Sequence, residues 1–451
     1  MIEPTYDAVV AGGGIGGTAC AGMLARAGLR VLLVEAREEE AAGPSWINGV
    51  PARAFDDAGI ARPVGDELAA AGGTFTLSSP SADFRVDLHE HSLLEVDMRL
   101  LGRRLRAEAR EAGATLCFGE RLRDVEVNEG RVRSVEVAGR AVRAGLFVDA
   151  SGLAAVLRKA MFPGWPSVPR AHLCTAAQMV HTIADHEGAA RWLADSRGRP
   201  DQVLARVGLE GGFSVLNVRV DLAAGTVAVL TGTVADTPSR PSGLRLLDDF
   251  VAEHAWIGPR RFGGSGAIPL RRPYTRLGGA GLALLGDAAC TTFAAHGSGI
   301  GTSLFAARLL TDVVRSAGDP GSLETAWSYA AKFHHARGGL LLGYDLIRRM
   351  TQQLTSDETN RMFAAELASP ASLRATLEQD APPLGLRELA RTVQKSFAEP
   401  RLSLRVGHSL RRLPAALSHG RTYPLHVDWP ALRRYEERSA RLVGDAVDPL
   451  T

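Results

Sequence analysis

The chain has 451 residues, too many for one compact core, so two or three domains are expected. Its 45% hydrophobic and 23% charged residues are those of an ordinary globular protein, and a formal charge of +2 excludes a nucleic-acid partner recruited by bulk charge. The four cysteines (Cys20, Cys117, Cys174, Cys290) show no CxxC or metal-ligand spacing, no apolar run is long enough to span a membrane, and no signal pattern opens the chain, so a cytoplasmic protein with free thiols and no metal is expected.

Residues 6–11 (YDAVVA) form a short apolar run of the kind found in a buried parallel strand. The turn Gly12-Gly13-Gly14-Ile15-Gly16-Gly17 follows, then a helix over 15–27 capped by Gly28, and a strand over 30–34 that ends at Glu35. Gly12, Gly14 and Gly17 satisfy G-x-G-x-x-G in the strand–turn–helix setting the motif requires. Gly12 permits the tight turn, Gly14 lets a pyrophosphate approach the backbone, and Gly17 lets helix and strand pack closely. The helix N-terminus presents N–H groups to the phosphates, and Glu35 can accept hydrogen bonds from ribose hydroxyls. A dinucleotide site is therefore placed on Gly12, Gly14, Ile15, Gly17, Glu35 and Ala36, with FAD and NAD both open at this point.

Residues 43–90 read as loop, rich in proline and glycine. Helical spacing returns over 97–112 and stops at Gly113; strands are expected over 114–118, 122–128, 131–137 and 146–149. Strand-like segments then dominate 165–275, at 172–183, 203–207, 212–220 and 226–233, which points to an inserted β-rich domain. Residues 282–285 (LALL) restore the buried-strand pattern, a turn of small residues follows, and a helix is expected over 301–317. The remainder, 322–451, reads as helical, with an arginine-rich stretch whose Arg401, Arg405, Arg411 and Arg412 suit a solvated helix face; weak contact with an anionic membrane or an acidic ligand is the alternative.

The segment Leu282-Ala283-Leu284-Leu285-Gly286-Asp287, leading into Gly297-Ser298-Gly299-Ile300-Gly301, resembles the second fingerprint of FAD proteins with a p-hydroxybenzoate-hydroxylase-like fold. The resemblance implies FAD, with Asp287 on a ribityl hydroxyl and Gly286, Gly297, Gly299 and Ile300 around the flavin. A helix start there would stabilise negative charge on the reduced flavin pyrimidine. It also implies that Arg99, in Asp97-Met98-Arg99, reaches FAD near the pyrophosphate or ribityl chain, and that the loop holding Trp46 and Asn48 passes near the flavin.

The order of segments resembles the branch containing geranylgeranyl reductases, flavin-dependent halogenases and aromatic monooxygenases. The implied fold is α/β: a discontinuous Rossmann-like FAD-binding domain (1–164 and 276–320), an inserted β-sheet substrate domain (165–275) and a C-terminal helical region (321–451). Several segments depart from particular members. Val148-Asp149-Ala150-Ser151-Gly152 lacks the adjacent Asp-Gly of NADPH-using hydroxylases. No lysine precedes Lys159 and Phe162-Pro163-Gly164-Trp165-Pro166 does not match the halogenase GWxWxIP segment, which ranks halogenation low. The stretch Gly211-Gly212-Phe213-Ser214-Val215-Leu216-Asn217 lacks the aromatics of the reductases' substrate motif, which argues against a long isoprenoid substrate.

The expected activity is FAD-dependent redox chemistry on a hydrophobic small molecule, by hydride transfer to or from flavin N5; the alternative is a monooxygenase acting through a C4a-hydroperoxide. A catalytically silent flavin-binding module is the non-enzymatic reading. With no second G-x-G-x-x-G, reducing equivalents are expected from NAD(P)H at the flavin, from a separate flavin reductase, or from the substrate. His296 is the acid/base candidate because free imidazole titrates near neutrality, with a structural histidine as the alternative; Cys290 is read as a packing residue rather than a covalent tether.

Overall fold

A computed structural model describes residues 2–234, 236, 237, 240–383 and 400–450; the side chains of Arg401 and Arg405 lie outside the described residues. At its centre five parallel strands stand in the order Leu282–Leu284, Arg140–Asp149, Thr5–Ala11, Val31–Val34, Thr115–Cys117. Both faces of this sheet are covered, so the strands are continuous apolar runs: Val9, Val10, Leu32, Leu33, Phe147 and Val148 are sealed from solvent, each worth about 2 kcal/mol of burial. An antiparallel extension, Arg131–Val137 and Arg123–Asn128, hangs from Arg140–Asp149.

Helix Ile15–Arg26 packs against helices Met98–Glu111 and Ile300–Arg315. Gly22 lets the first contact close, since a Cβ there would stand 3.3 Å from the Ala109 backbone. Helix Met98–Glu111 buries Met98, Leu101, Leu105 and Ala109, one stripe at helical spacing, and Asp97 caps it by accepting from the Arg99 N–H at 2.9 Å.

A second sheet has seven strands in the order Ile257–Pro269, Leu173–Ile183, Thr226–Val234, Ser214–Asp221, Val203–Val207, Phe75–Ser78, Arg85–Leu88. Helices His186–Asp195 and Gly243–Glu253 pack on one face, against Met179, Val218, Val220, Val227 and Val229. A third, small sheet holds Ile47–Pro51, Leu93–Asp97 and Leu68–Ala71. Residues 43–90, expected as loop, thus contain four strands, and two of these, Phe75–Ser78 and Arg85–Leu88, extend the seven-stranded sheet far upstream of residue 165. Each is four or five residues long, and Ile47–Pro51 and Phe75–Ser78 pair with segments distant in sequence, so local pattern could not reveal them.

The chain ends in helices Leu323–Phe333, Gly339–Gln352, Ser356–Ala364, Pro370–Leu377, Pro400–Leu410, Leu413–His419 and Trp429–Val443. The last is bolted to the core. Glu436, wholly buried, accepts from Arg272 Nη1 and Nη2 at 2.8 and 2.7 Å, from Thr275 Oγ1, and from the Asp448 N–H at 2.5 Å.

Candidate functional site

The carboxyl ends of the parallel strands, at Ala11, Val34, Asp149 and Leu284, open on a cleft of about 710 Å³, where ligands of open parallel sheets bind. The glycines of its first turn differ in what they must accommodate. At Gly12 φ is +107°, and a Cβ would overlap the Ala150 carbonyl; at Gly17 it would overlap the Gly12 carbonyl, so strand and helix meet there with no side chain between. At Gly14 a Cβ would meet nothing within 4 Å, because that position faces the open cleft.

Two helix starts face the same space. Gly14 and Gly299 are the N-caps of Ile15–Arg26 and Ile300–Arg315, and neither helix has a side-chain cap, so first-turn N–H groups remain for a ligand. Glu35 is buried, with Oε2 accepting from the Gly13 N–H at 2.7 Å and Oε1 from the Arg37 N–H at 2.9 Å. Its carboxylate braces the glycine turn while retaining lone pairs for a ribose, and Arg37, Glu120, Arg121 and Arg123 line this end of the cleft. Asp287, at the other end, accepts one hydrogen bond, from Thr292 Oγ1 at 2.6 Å; burial pushes its carboxyl above the usual range and the Thr292 bond opposes this. A ligand hydroxyl beside Asp287 would supply the missing partner.

The loop 45–49 bridges the two halves of the site. Ser45 Oγ donates to the Gly263 carbonyl at 3.0 Å, Asn48 Nδ2 donates to Ser298 Oγ at 3.4 Å, and Gln178 Oε1 accepts from the Ile47 N–H at 2.6 Å. Trp46 lies along Gly264 and Gly266 of strand Ile257–Pro269, where a Cβ would come within 3.7 and 3.8 Å of its ring.

Of the residues expected at the cofactor, Gly12, Gly14, Ile15, Gly17, Glu35, Ala36, Trp46, Gly286, Asp287, Gly297, Gly299 and Ile300 all line this cleft. Arg99 does not. Its guanidinium is held by Asp97 at 2.6 Å and lies over the Phe262 ring at 3.3 Å, so the cap that starts its helix also draws it away from the cleft. Asp149, in the segment compared with hydroxylases, is consumed internally by the N–H groups of Ser151 and Arg158 at 3.1 and 2.7 Å. Cys290 is sealed from solvent, burial pushes its thiol up to about 12, and it lies outside the cleft lining, as a packing residue would.

His296 requires a correction. Burial pushes its imidazole down to about 4, the nearby Thr376 carbonyl partly opposing this, so the ring is neutral at physiological pH instead of titrating there. Nδ1 accepts from the Ser298 N–H at 3.2 Å, which puts the ring proton on Nε2, an atom shut from solvent that reaches no acceptor in hydrogen-bond geometry.

A second cavity of about 640 Å³ adjoins the first and shares Asn48, Gln178, Phe213, Leu230, His296 and Ser298 with it. Its floor is the face of the seven-stranded sheet opposite the helices; its roof comes from the small sheet and the C-terminal helices through Tyr344, Ile347, Met350, Met362, Leu373 and Leu410. Sequence reasoning missed this wall entirely. It also missed Glu95, Asn217 and Arg219, which line the cavity; a polar residue at every second position of an apolar strand was the available signal for the last two.

A Rossmann-type parallel sheet, with two uncapped helix starts and a cleft complementary to a pyrophosphate and a ribityl chain, defines a flavin dinucleotide-binding protein, and the residues present fit FAD. Residues 7–194 match the model of the family described as FAD dependent oxidoreductase. Digeranylgeranylglycerophospholipid reductase 1 of Methanopyrus kandleri is 27% identical over 316 residues, covering 68% of this chain and 80% of that protein. Menaquinone reductase of Mycolicibacterium smegmatis is 26% identical over 367 residues, covering 77% and 84%. Among solved structures, a geranylgeranyl bacteriochlorophyll reductase-like protein of Thermoplasma acidophilum shares the fold with a TM-score of 0.71 at 19% identity, over 90% of this chain and 99% of that one. The halogenase PltM in complex with FAD shares it with a TM-score of 0.61 at 14% identity, over 92% and 96%. The superfamily resemblance drawn from the two glycine motifs therefore holds, and no helix among the described residues is long and apolar enough to cross a membrane.

Proposed function

We propose that this protein reduces carbon–carbon double bonds of a hydrophobic, isoprenoid-type ligand. The observation that carries the reading is the predominantly apolar cavity of about 640 Å³ that opens into the flavin cleft. Its walls are mostly apolar, and the names of the reductases similar to this chain support an isoprenoid ligand. The argument against a long isoprenoid, taken from the missing aromatics at 211–217, is thereby reversed: Leu77, Leu93, Val203, Ile347, Leu354 and Met362 offer the apolar surface that a tryptophan or tyrosine would have offered.

Bound FAD supplies hydride chemistry at N5. The chain's residues do the rest. The start of helix Ile300–Arg315 would favour negative charge on a flavin ring held beside it, Trp46 and the loop around it would wall that end, and the mostly apolar cavity would keep water from the reacting carbons. His296, neutral with its proton on Nε2, serves as a hydrogen-bond donor at the boundary of the two cavities, in place of the near-neutral acid expected from sequence.

The test is to reconstitute the protein with FAD, photoreduce it without oxygen, and mix it with geranylgeraniol. The expected result is reoxidised flavin and a product that has gained two hydrogens per double bond. Reoxidation only on admitting oxygen, with isotopically labelled oxygen in the product, would overturn the reading in favour of a monooxygenase.

A further inference from the structure

Three polar side chains stand in the apolar cavity with unused hydrogen-bonding capacity. Asn217 and Arg219 alternate on strand Ser214–Asp221 and so project from the same face; Asn217 Oδ1 and Arg219 Nε are shut from solvent without a partner. Glu95 comes from the facing small sheet, and among the described residues no hydrogen bond or ion pair engages its carboxyl. The two sheets are clamped at this point. Ala69 is the extra residue of a bulge between Leu68 and Ala70, and its carbonyl accepts from Arg219 Nη2 at 3.4 Å.

Unpartnered polar groups in an apolar cavity are costly unless a ligand completes them. The charges decide what kind of ligand. Arg219 Nη2 already faces Asp201 at 3.3 Å and Asp221 at 3.8 Å, so its positive charge is balanced before any ligand enters. A phosphate would add negative charge beside Asp201 and Asp221, and among the described lining residues the cations Arg219 and Arg348 are already paired. A hydroxyl or carbonyl oxygen needs no counter-charge. Burial raises the Glu95 carboxyl above its usual range, with Arg219 opposing, which favours a protonated acid able both to donate and to accept.

We propose that Glu95, Asn217 and Arg219 form a subsite for the uncharged oxygen head of an amphiphilic ligand, a hydroxyl or carbonyl, and discriminate against phosphate-headed ligands. The subsite rests on the reading of this cavity as the substrate's. It also sets a distance. Asn217 shares a sheet row with Leu230, which lines the flavin cleft, so the head lies one strand spacing, about 5 Å, from the flavin-side wall.

The test uses the FAD-loaded protein and two saturated probes, dodecanol and dodecyl phosphate, titrated while the flavin absorbance spectrum is followed. Dodecanol is expected to bind more tightly by about tenfold, the weight of one neutral hydrogen bond. Glu95→Leu should abolish that preference with flavin content unchanged, and Glu95→Gln, which keeps a donor and an acceptor, should retain it to within about threefold. Dodecyl phosphate binding as tightly as dodecanol, a Glu95→Leu protein with the wild-type preference, or no binding of dodecanol would each overturn the proposal. Neither probe has a double bond, so a failure of the reductase reading leaves this result untouched.

Discussion

Replacing Gly14 by valine separates cofactor binding from folding. Gly14 has φ of −68° and ψ of 177°, ordinary values for any L-residue, and a Cβ built on it meets no atom within 4 Å. Two small effects oppose each other in the flavin-free protein. Valine is a poorer N-cap than glycine by about 1 kcal/mol, while restricting the unfolded chain returns about 0.4–1 kcal/mol. The apoprotein should therefore fold with nearly unchanged stability. The cofactor meets a different outcome, because the new side chain fills the space in which a pyrophosphate would approach the helix start. Losing two charge-assisted hydrogen bonds to backbone N–H groups costs about 3 kcal/mol or more, over a hundredfold in Kd. Purified Gly14→Val protein should contain almost no flavin by its visible-to-ultraviolet absorbance ratio, yet melt within a few degrees of flavin-free wild type. Gly17→Ala is the contrast: its Cβ would overlap the Gly12 carbonyl, so it should lose fold and flavin together. A Gly14→Val protein with full flavin would refute the placement of the pyrophosphate, and one whose apoprotein fails to fold would refute the claim that this position faces open space.

Glu436→Ala should lower the unfolding free energy by about 3–5 kcal/mol in urea titrations, because Arg272, 1% exposed, would be left without its bidentate partner; a loss below 1 kcal/mol would show that the C-terminal helix is held by other contacts. Stability should also fall in mild acid. Burial pushes His334 down to about 3 and His419 down to about 4, so the unfolded chain takes up protons below pH 6.5 that the native protein refuses until much lower pH. Stability is therefore present at neutral pH and lost as pH falls from 6.5 toward 4, by at most about 2 kcal/mol per histidine at pH 5. Urea midpoints at pH 7 and pH 5 measure it; equal midpoints would mean that these imidazoles are charged in the native state.

The nucleotide half of the site was legible in sequence because its parts are local. Gly12, Gly14, Gly17 and Glu35 lie within one strand–turn–helix–strand unit, and the geometry the motif imposes needs only that unit. Asp287 and Gly299 were legible for the same reason, as a strand end and a helix start a few residues apart. Inference by motif order, in contrast, misplaced Arg99: its position between the two fingerprints said nothing of the Asp97 carboxylate and Phe262 ring that claim its guanidinium.

By itself, then, the sequence determined the fold class, the cofactor and the glycine, Glu35 and Asp287 positions that line the cleft, since each is encoded by spacing within a few turns of chain. Tertiary structure alone decided the second cavity. Phe75–Ser78 is a strand because it pairs with Val203–Val207, the apolar cavity exists because C-terminal helices lie across a sheet face built much earlier in the chain, and His296 is neutral because distant segments bury it. Glu95 and Arg219 come together through the packing of two separate sheets. Such features depend on which surfaces meet after folding, and desolvation and charge balance are properties of those meetings, absent from any short window of residues.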